Sequence, residues 1–191
     1  MQARLNGKSS RTAAVFPVAR HAAPAACVIL GIDPSLRGTG YGVIRTDRSG
    51  PVALAQGTIA CPRDWERSRC LAKISQTLRG VLQEFSPEVC VVEGLFFAQN
   101  LKTAIVMGEA RGAALAAAAE GNVEIFEIAT RKVKLAIIGY GAAQKLAVAK
   151  MVQRMLSLAE LPAPDAADAL ALALAHAQES SRYGLRPAKR I

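Results

Sequence analysis

The hydrophobic and polar positions of this chain follow two periodicities. Residues 27–32 form an uninterrupted weakly polar-to-apolar run, Cys-Val-Ile-Leu-Gly-Ile, closed by Asp33-Pro34, and such a run predicts a strand buried on both faces. A second run at 40–44 follows a turn rich in Gly, Ser and Thr, and a third spans 52–60. Three strands with short connections predict a meander. Over 64–85 the apolar positions Leu71, Ile74, Leu78, Val81, Leu82 and Phe85 recur with a period near 3.6 among charged residues, which predicts an amphipathic helix that Pro87 terminates. Residues 89–92 form another short buried-type strand, closed by Glu93. The Ala- and Leu-rich stretch 99–120 lacks proline and predicts a helix. A strand is expected at 122–128 and a helix at 142–158 with Lys145, Lys150 and Arg154 on its polar side. After Pro162 and Pro164 a last Ala- and Leu-rich helix runs from Asp165 to about Gln178. The order βββαβαβαα predicts an α/β fold, a mixed sheet with helices on both faces. No repeat of solenoid length is visible.

Composition narrows the class. With 191 residues, 51% hydrophobic and 5% aromatic, the chain suits one compact domain that buries roughly 70% of its unfolded surface, so disorder of the whole chain is excluded. Apolar stretches are broken well before the roughly 18 residues of a membrane span, so no membrane association is expected. The formal charge is +9, but Arg4, Lys8, Arg11 and Arg20 stand without an acid in residues 1–26. Arg182, Arg186, Lys189 and Arg190 face only Glu179 near the other end, and the 150 residues between carry 16 basic and 14 acidic side chains. The expected organisation is a basic N-terminal extension at 1–26, a folded domain at 27–178 and a basic tail at 179–191. Cys27, Cys61, Cys70 and Cys90 have neither C-x-x-C spacing nor a zinc-like histidine partner, which predicts reduced thiols in a cytoplasmic protein.

The carboxylates carry the chemistry. The chain has five aspartates, and three of them, Asp33, Asp165 and Asp168, stand in apolar surroundings where a charge needs a reason. Asp33 and Glu93 follow directly on buried-type strands, the usual place for ligand-binding groups in open α/β sheets. Asp165 and Asp168 are three apart at a helix start, so they share a face, and the helix dipole favours their ionised forms. Taken singly, an Asp-Pro is commonly a turn and Asp165 a helix cap. Converging, the four would repel one another by several kcal/mol per close pair, about 4 at an effective dielectric near 20. Protons or divalent cations must neutralise them, and an all-oxygen set favours Mg²⁺ or Mn²⁺. Two such ions would activate water and stabilise the leaving oxygen of a phosphodiester.

These residues lie in three motifs: Leu30-Gly31-Ile32-Asp33-Pro34-Ser35-Leu36-Arg37-Gly38-Thr39-Gly40-Tyr41-Gly42-Val43-Ile44, Val92-Glu93-Gly94-Leu95-Phe96-Phe97-Ala98-Gln99-Asn100, and Pro164-Asp165-Ala166-Ala167-Asp168-Ala169-Leu170-Ala171. With Gly108-Glu109-Ala110-Arg111-Gly112 and the stretch 134–145, they closely resemble the RuvC family of Holliday-junction resolvases over about residues 28–178. The resemblance implies a ribonuclease H-like fold and a homodimer that cuts two opposed strands of a four-way DNA junction symmetrically, in recombination and repair. It implies Asp33, Glu93, Asp165 and Asp168 as a metal-binding catalytic tetrad holding two Mg²⁺ ions, with Mn²⁺ as a substitute. It places Lys134 and Lys145 where the family has basic residues that assist the reaction or contact phosphate. Phe96 falls where the family stacks an aromatic on an unpaired base. Arg37, Arg131 and Lys132 are expected as further DNA contacts, and a RuvA–RuvB branch-migration complex as a partner.

Blander roles remain for several of these side chains. Phe97 suits the core, Arg131, Lys132, Lys134 and Lys145 suit a solvated face, Arg111 suits a structural role and His176 an ordinary helix face. Ser35 and Gly94 depart from the family pattern without removing a carboxylate. Two other functions fit parts of the chain: a non-catalytic junction-binding protein on the same fold, and an actin- or sugar-kinase-like phosphotransferase fragment sharing the Gly31–Gly40 hairpin. The chain is too short for the two domains such kinases need, and no carboxylate of the tetrad is missing.

Overall fold

The computed structural model describes residues 26–94, 100–181 and 189–191. Strands β1 (Cys27–Asp33), β2 (Gly38–Asp47) and β3 (Gly50–Ala60) form the expected antiparallel meander. Helix α1 (Arg67–Phe85) leads to β4 (Val89–Glu93), which lies parallel to β1, and α2 (Leu101–Glu120) leads to β5 (Glu124–Ile128), parallel to β4. Helices α3 (Thr130–Ile138), α4 (Lys145–Met155) and α5 (Pro164–Ser181) follow, and β6 (Lys189–Arg190) closes the far edge antiparallel to β5. The sheet order is β3-β2-β1-β4-β5-β6. No helix among the described residues is long and apolar enough to cross a membrane.

Strand alternation sorts the core into two layers. Leu30, Ile32, Val43, Cys90 and Val92 point to the face covered by α1 and α2, where Cys70, Ile74, Leu78 and Ala110 meet them. Ile29, Ile44, Val89 and Val91 point to the opposite face, covered by α3, α4 and α5. The helices do lie on both faces, and Cys61, Cys70 and Cys90 are buried free thiols while Cys27 is half-buried. Burial pushes the Cys90 thiol up to about 12, which keeps it an inert core group.

Two elements differ from the sequence expectation. Helix α3 occupies a stretch to which the sequence pattern assigns no element, because its nine residues include β-branched Thr130, Val133, Ile137 and Ile138 and span little more than two turns. Its helical form depends on burying Val133 and Ile137 against the core. Strand β6 is two basic residues long and carries no apolar signal; it is held by backbone pairing to β5 and by an Arg190–Glu124 ion pair of 2.9 Å.

Helix α5 lies almost directly on the β1–β2 hairpin. Positions 164–175 of this helix are mostly alanine and leucine, and residues Ala166–Ala175 are buried except Asp168, which is half-buried. The facing strand positions are glycines. A Cβ at Gly31 would fall 1.9 Å from the Ala169 carbonyl oxygen, and one at Gly40 would fall 2.0 Å from that of Asp165. Gly42 makes room for Leu170 in the same way, with a Cβ there only 2.7 Å from its side chain. A methyl at Gly31 must therefore push the helix off the sheet. Gly31→Ala is expected to lower stability by roughly 1–3 kcal/mol or more, read as a lower urea midpoint. Gly112→Ala, in a helix with nothing within 4 Å of the new Cβ, is expected to raise stability by roughly 0.5–1 kcal/mol.

Candidate active site

The C-terminal ends of the two central strands, β1 and β4, meet the start of α5. Residues 29, 31 and 33 of β1 share a face, as do 89, 91 and 93 of β4, and Ile32 pairs with Val92 across the parallel ladder. One residue further on, Asp33 and Glu93 therefore stand side by side on the α5 side of the sheet. Asp165 lies in the first turn of α5, behind Pro164, whose missing N–H costs nothing at that position. Asp168 follows one turn later. All four carboxylates line one cleft of about 310 Å³, with Ser35, Thr130, Lys134 and Lys145 also on its wall.

Each carboxylate has a distinct environment. Burial pushes Asp33 from its ordinary 3.8 to about 8, reinforced by the charge of Glu93, a hydrogen bond to it and the charge of Asp168. Lys145 opposes that shift. Asp33 is thereby pushed toward its protonated form, hydrogen-bonded to Glu93. Glu93 also accepts a hydrogen bond from the Thr130 hydroxyl at the start of α3. Asp168 Oδ2 accepts from Lys145 Nζ at 2.7 Å, and that bond holds the ammonium above its ordinary pKa. Asp165 directs Oδ2 toward β2, since a Cβ at Gly38 would lie 2.8 Å from it.

Four acids therefore face one cleft with a single bonded ammonium to balance them. The chemistry of the donor set fits a divalent cation: oxygens only, and a carboxyl that burial and its acidic neighbours push toward its protonated form. As the side chains stand, no group of three or more His, Cys, Asp or Glu residues among the described residues is drawn together around one point. Glu93 is bonded to the Thr130 hydroxyl and Asp168 to the Lys145 ammonium.

The other expected residues divide. Lys134 and Lys145 lie on the cleft wall. Arg131 and Lys132 are exposed on α3 outside the cleft lining, with the Arg131 stem against Gly141. Arg37 is turned to the opposite side of its hairpin, where it donates to the Trp65 carbonyl at 3.1 Å, to that of Pro62 and to Cys70 Sγ at 3.3 Å, tying down the β3–α1 connection. Phe96 and Phe97 lie outside the described residues. Arg111 has the structural role expected, bonded to the Glu93 carbonyl and to Glu127. His176 is buried against Phe126 with ring centroids 4.8 Å apart, more enclosed than an ordinary helix-face position, and burial pushes its pKa down. Sequence reasoning missed Thr130, whose only signal is a hydroxyl at a strand-to-helix junction, and Glu127, an acid inside a short strand.

The Asp33 proton has a measurable consequence. Asp33 binds its proton more tightly folded than unfolded, so stability is greatest below about pH 4 for this group and falls as pH rises toward about 8. In a metal chelator, Asp33→Asn is expected to flatten the decline of unfolding free energy between those limits and to be more stable than the parent at pH 8. Urea titrations across pH check this; equal slopes for the two proteins would contradict it.

Comparison with known proteins gives a consistent result. The family model for crossover junction endodeoxyribonuclease RuvC matches residues 29–176. The crossover junction endodeoxyribonuclease RuvC of Akkermansia muciniphila is 45% identical over 148 residues, covering 78% of this chain and 89% of that protein. The protein of the same name from Natranaerobius thermophilus is 43% identical over 152 residues, covering 79% and 94%. Among solved structures, T. thermophilus RuvC in complex with Holliday junction substrate superposes with a TM-score of 0.78 at 35% identity, covering 86% of this chain and 99% of that one. The yeast mitochondrial resolvase Ydc2 shares the fold alone, at a TM-score of 0.51 and 13% identity. A ribonuclease H-like sheet with four carboxylates in one cleft at its strand ends, in a chain matched over more than three quarters of its length, places this chain in the RuvC family of crossover junction endodeoxyribonucleases.

Proposed function

We propose that this chain resolves four-way DNA junctions by hydrolysing one phosphodiester in each of two opposed strands, with Asp33, Glu93, Asp165 and Asp168 holding two Mg²⁺ ions that Mn²⁺ can replace. The observation that carries the reading is the convergence of these four acids on one cleft where Lys145 pairs with Asp168 alone, in a chain of this family. Bound divalent ions supply the positive charge that lowers the pKa of a water and stabilises the leaving oxygen.

The remaining work falls to the protein. The N-terminal part of α5 presents Asp165 and Asp168 to the cleft. Thr130 restrains the rotation of Glu93. Lys134 on the wall and Lys145 at the mouth draw phosphates toward a site that would otherwise repel them. Lys145 also holds Asp168 in its rotamer until substrate and cations compete for it. Arg131 and Lys132, exposed on the neighbouring helix, extend this basic border for the flanking duplex, and Phe96 stacks on a base at the opened crossover, where such a contact is worth about 1–3 kcal/mol. A two-fold junction has two equivalent scissile positions, which suits a homodimer with one cleft per subunit. Family membership supports a RuvA–RuvB branch-migration complex as the partner and the cytoplasm as the compartment.

Phosphate contacts supply most of the affinity for DNA, and the carboxylates do not. Asp33→Asn is therefore expected to lower single-turnover cleavage of a synthetic junction by at least about a hundredfold, the scale of losing one well-placed catalytic group, while junction affinity by gel shift stays within a few-fold. Cleavage by Asp33→Asn at the parent rate would contradict the assignment.

A further inference from the structure

The only buried guanidinium among the described residues belongs to Arg111, 7% exposed on α2. It does not face the cleft. It reaches the other side of the sheet beneath the end of β4, where Nη1 donates to the backbone carbonyl of Glu93 at 2.7 Å and Nη2 bonds the Glu127 carboxylate of β5. Glu127 pairs with Val92 in the β4–β5 ladder, so its side chain lies on the α2 face, opposite the Glu93 carboxylate. Gly94 leaves the room it needs: a Cβ there would sit 3.3 Å from Glu127 Cγ and 3.4 Å from Oε1. The departure at Gly94 noted in the sequence thus adjoins the carboxylate that anchors this arginine.

A buried ion pair is weak support for stability, since apolar residues of similar size often serve as well. This pair is placed differently from a packing device. One end grips the backbone of a residue whose side chain lines the cleft, and the other is fixed to the neighbouring strand. We infer that Arg111 and Glu127 form a positioning pair, which sets the backbone of Glu93 and with it the direction of the Glu93 carboxylate toward Asp33. The guanidinium is suited to this because its rigid fork bridges two acceptors at once, which an ammonium does not do. The inference rests on the reading of Glu93 as a metal-binding residue.

The test separates position from packing. Arg111→Met leaves Glu127 without its cation and is expected to lower the melting temperature. Adding Glu127→Leu removes the stranded charge and is expected to restore most of that loss. Position is not restored with it. The double variant is expected to bind junction DNA like the parent, to cut it at least tenfold more slowly under single turnover, and to bind Mn²⁺ at least several-fold more weakly by calorimetry. A double variant that regains parental cleavage and Mn²⁺ affinity along with its melting temperature overturns the inference, as does one left as unstable as Arg111→Met, because the pair is then a packing element. If the parent itself does not cut junctions, the functional reading fails, and the Mn²⁺ affinities alone still decide the positioning role.

Discussion

The close approach of α5 to the β1–β2 hairpin is the constraint on which the site depends. Glycines at 31, 40 and 42 let the helix backbone sit where side chains would normally stand, with clearances that exclude even a methyl group. The approach has a cost, because glycine strands lose side-chain contacts and conformational entropy. It is offset by an Ala- and Leu-rich helix face that is buried along ten residues. The result is that the first two turns of α5, with Asp165 and then Asp168, are delivered to the strand ends that carry Asp33 and Glu93. A helix at the usual distance from a sheet would leave these acids further apart.

Bringing acids together this way creates an electrostatic deficit that the protein does not fill. Lys145 bonds Asp168, Thr130 bonds Glu93, and Asp33 retains a proton well above its ordinary range. Each of these is a replaceable partner, and none removes the demand for positive charge. In the proposed function divalent cations answer that demand, while Lys134 and Lys145 on the wall of the same cleft face the phosphates. The modest net charge of the folded region is thus the sum of two opposed local fields, and the overall +9 says little about either.

Much of this was legible in the sequence because it obeys short-range rules. Uninterrupted apolar runs ending in Asp33 and Glu93, and a helix opened by Pro164-Asp165, located the carboxylates at element ends without any structure. The parity that puts Asp33 and Glu93 on the same face is implicit in the strand pattern too. What stayed hidden depends on long-range packing. Helix α3 is too short and too β-branched to announce itself, and it forms by burying Val133 and Ile137. Arg37 occupies a motif beside Asp33, yet its guanidinium is committed to the carbonyls of Pro62 and Trp65, some 25 or more residues away in sequence. Glu127 has meaning only once Arg111 is seen beneath β4.

The central claim is that this cleft, once neutralised by divalent cations, cuts junctions as a symmetric pair. The most direct measurement is cleavage of a four-way junction labelled in turn at the end of each of its four strands, with Mg²⁺ and with chelator. The account predicts cuts at matching positions in two opposed strands, dependent on the metal, and little cutting of linear duplex of the same sequence. Metal-independent cutting, or equal cutting of junction and duplex, would contradict it.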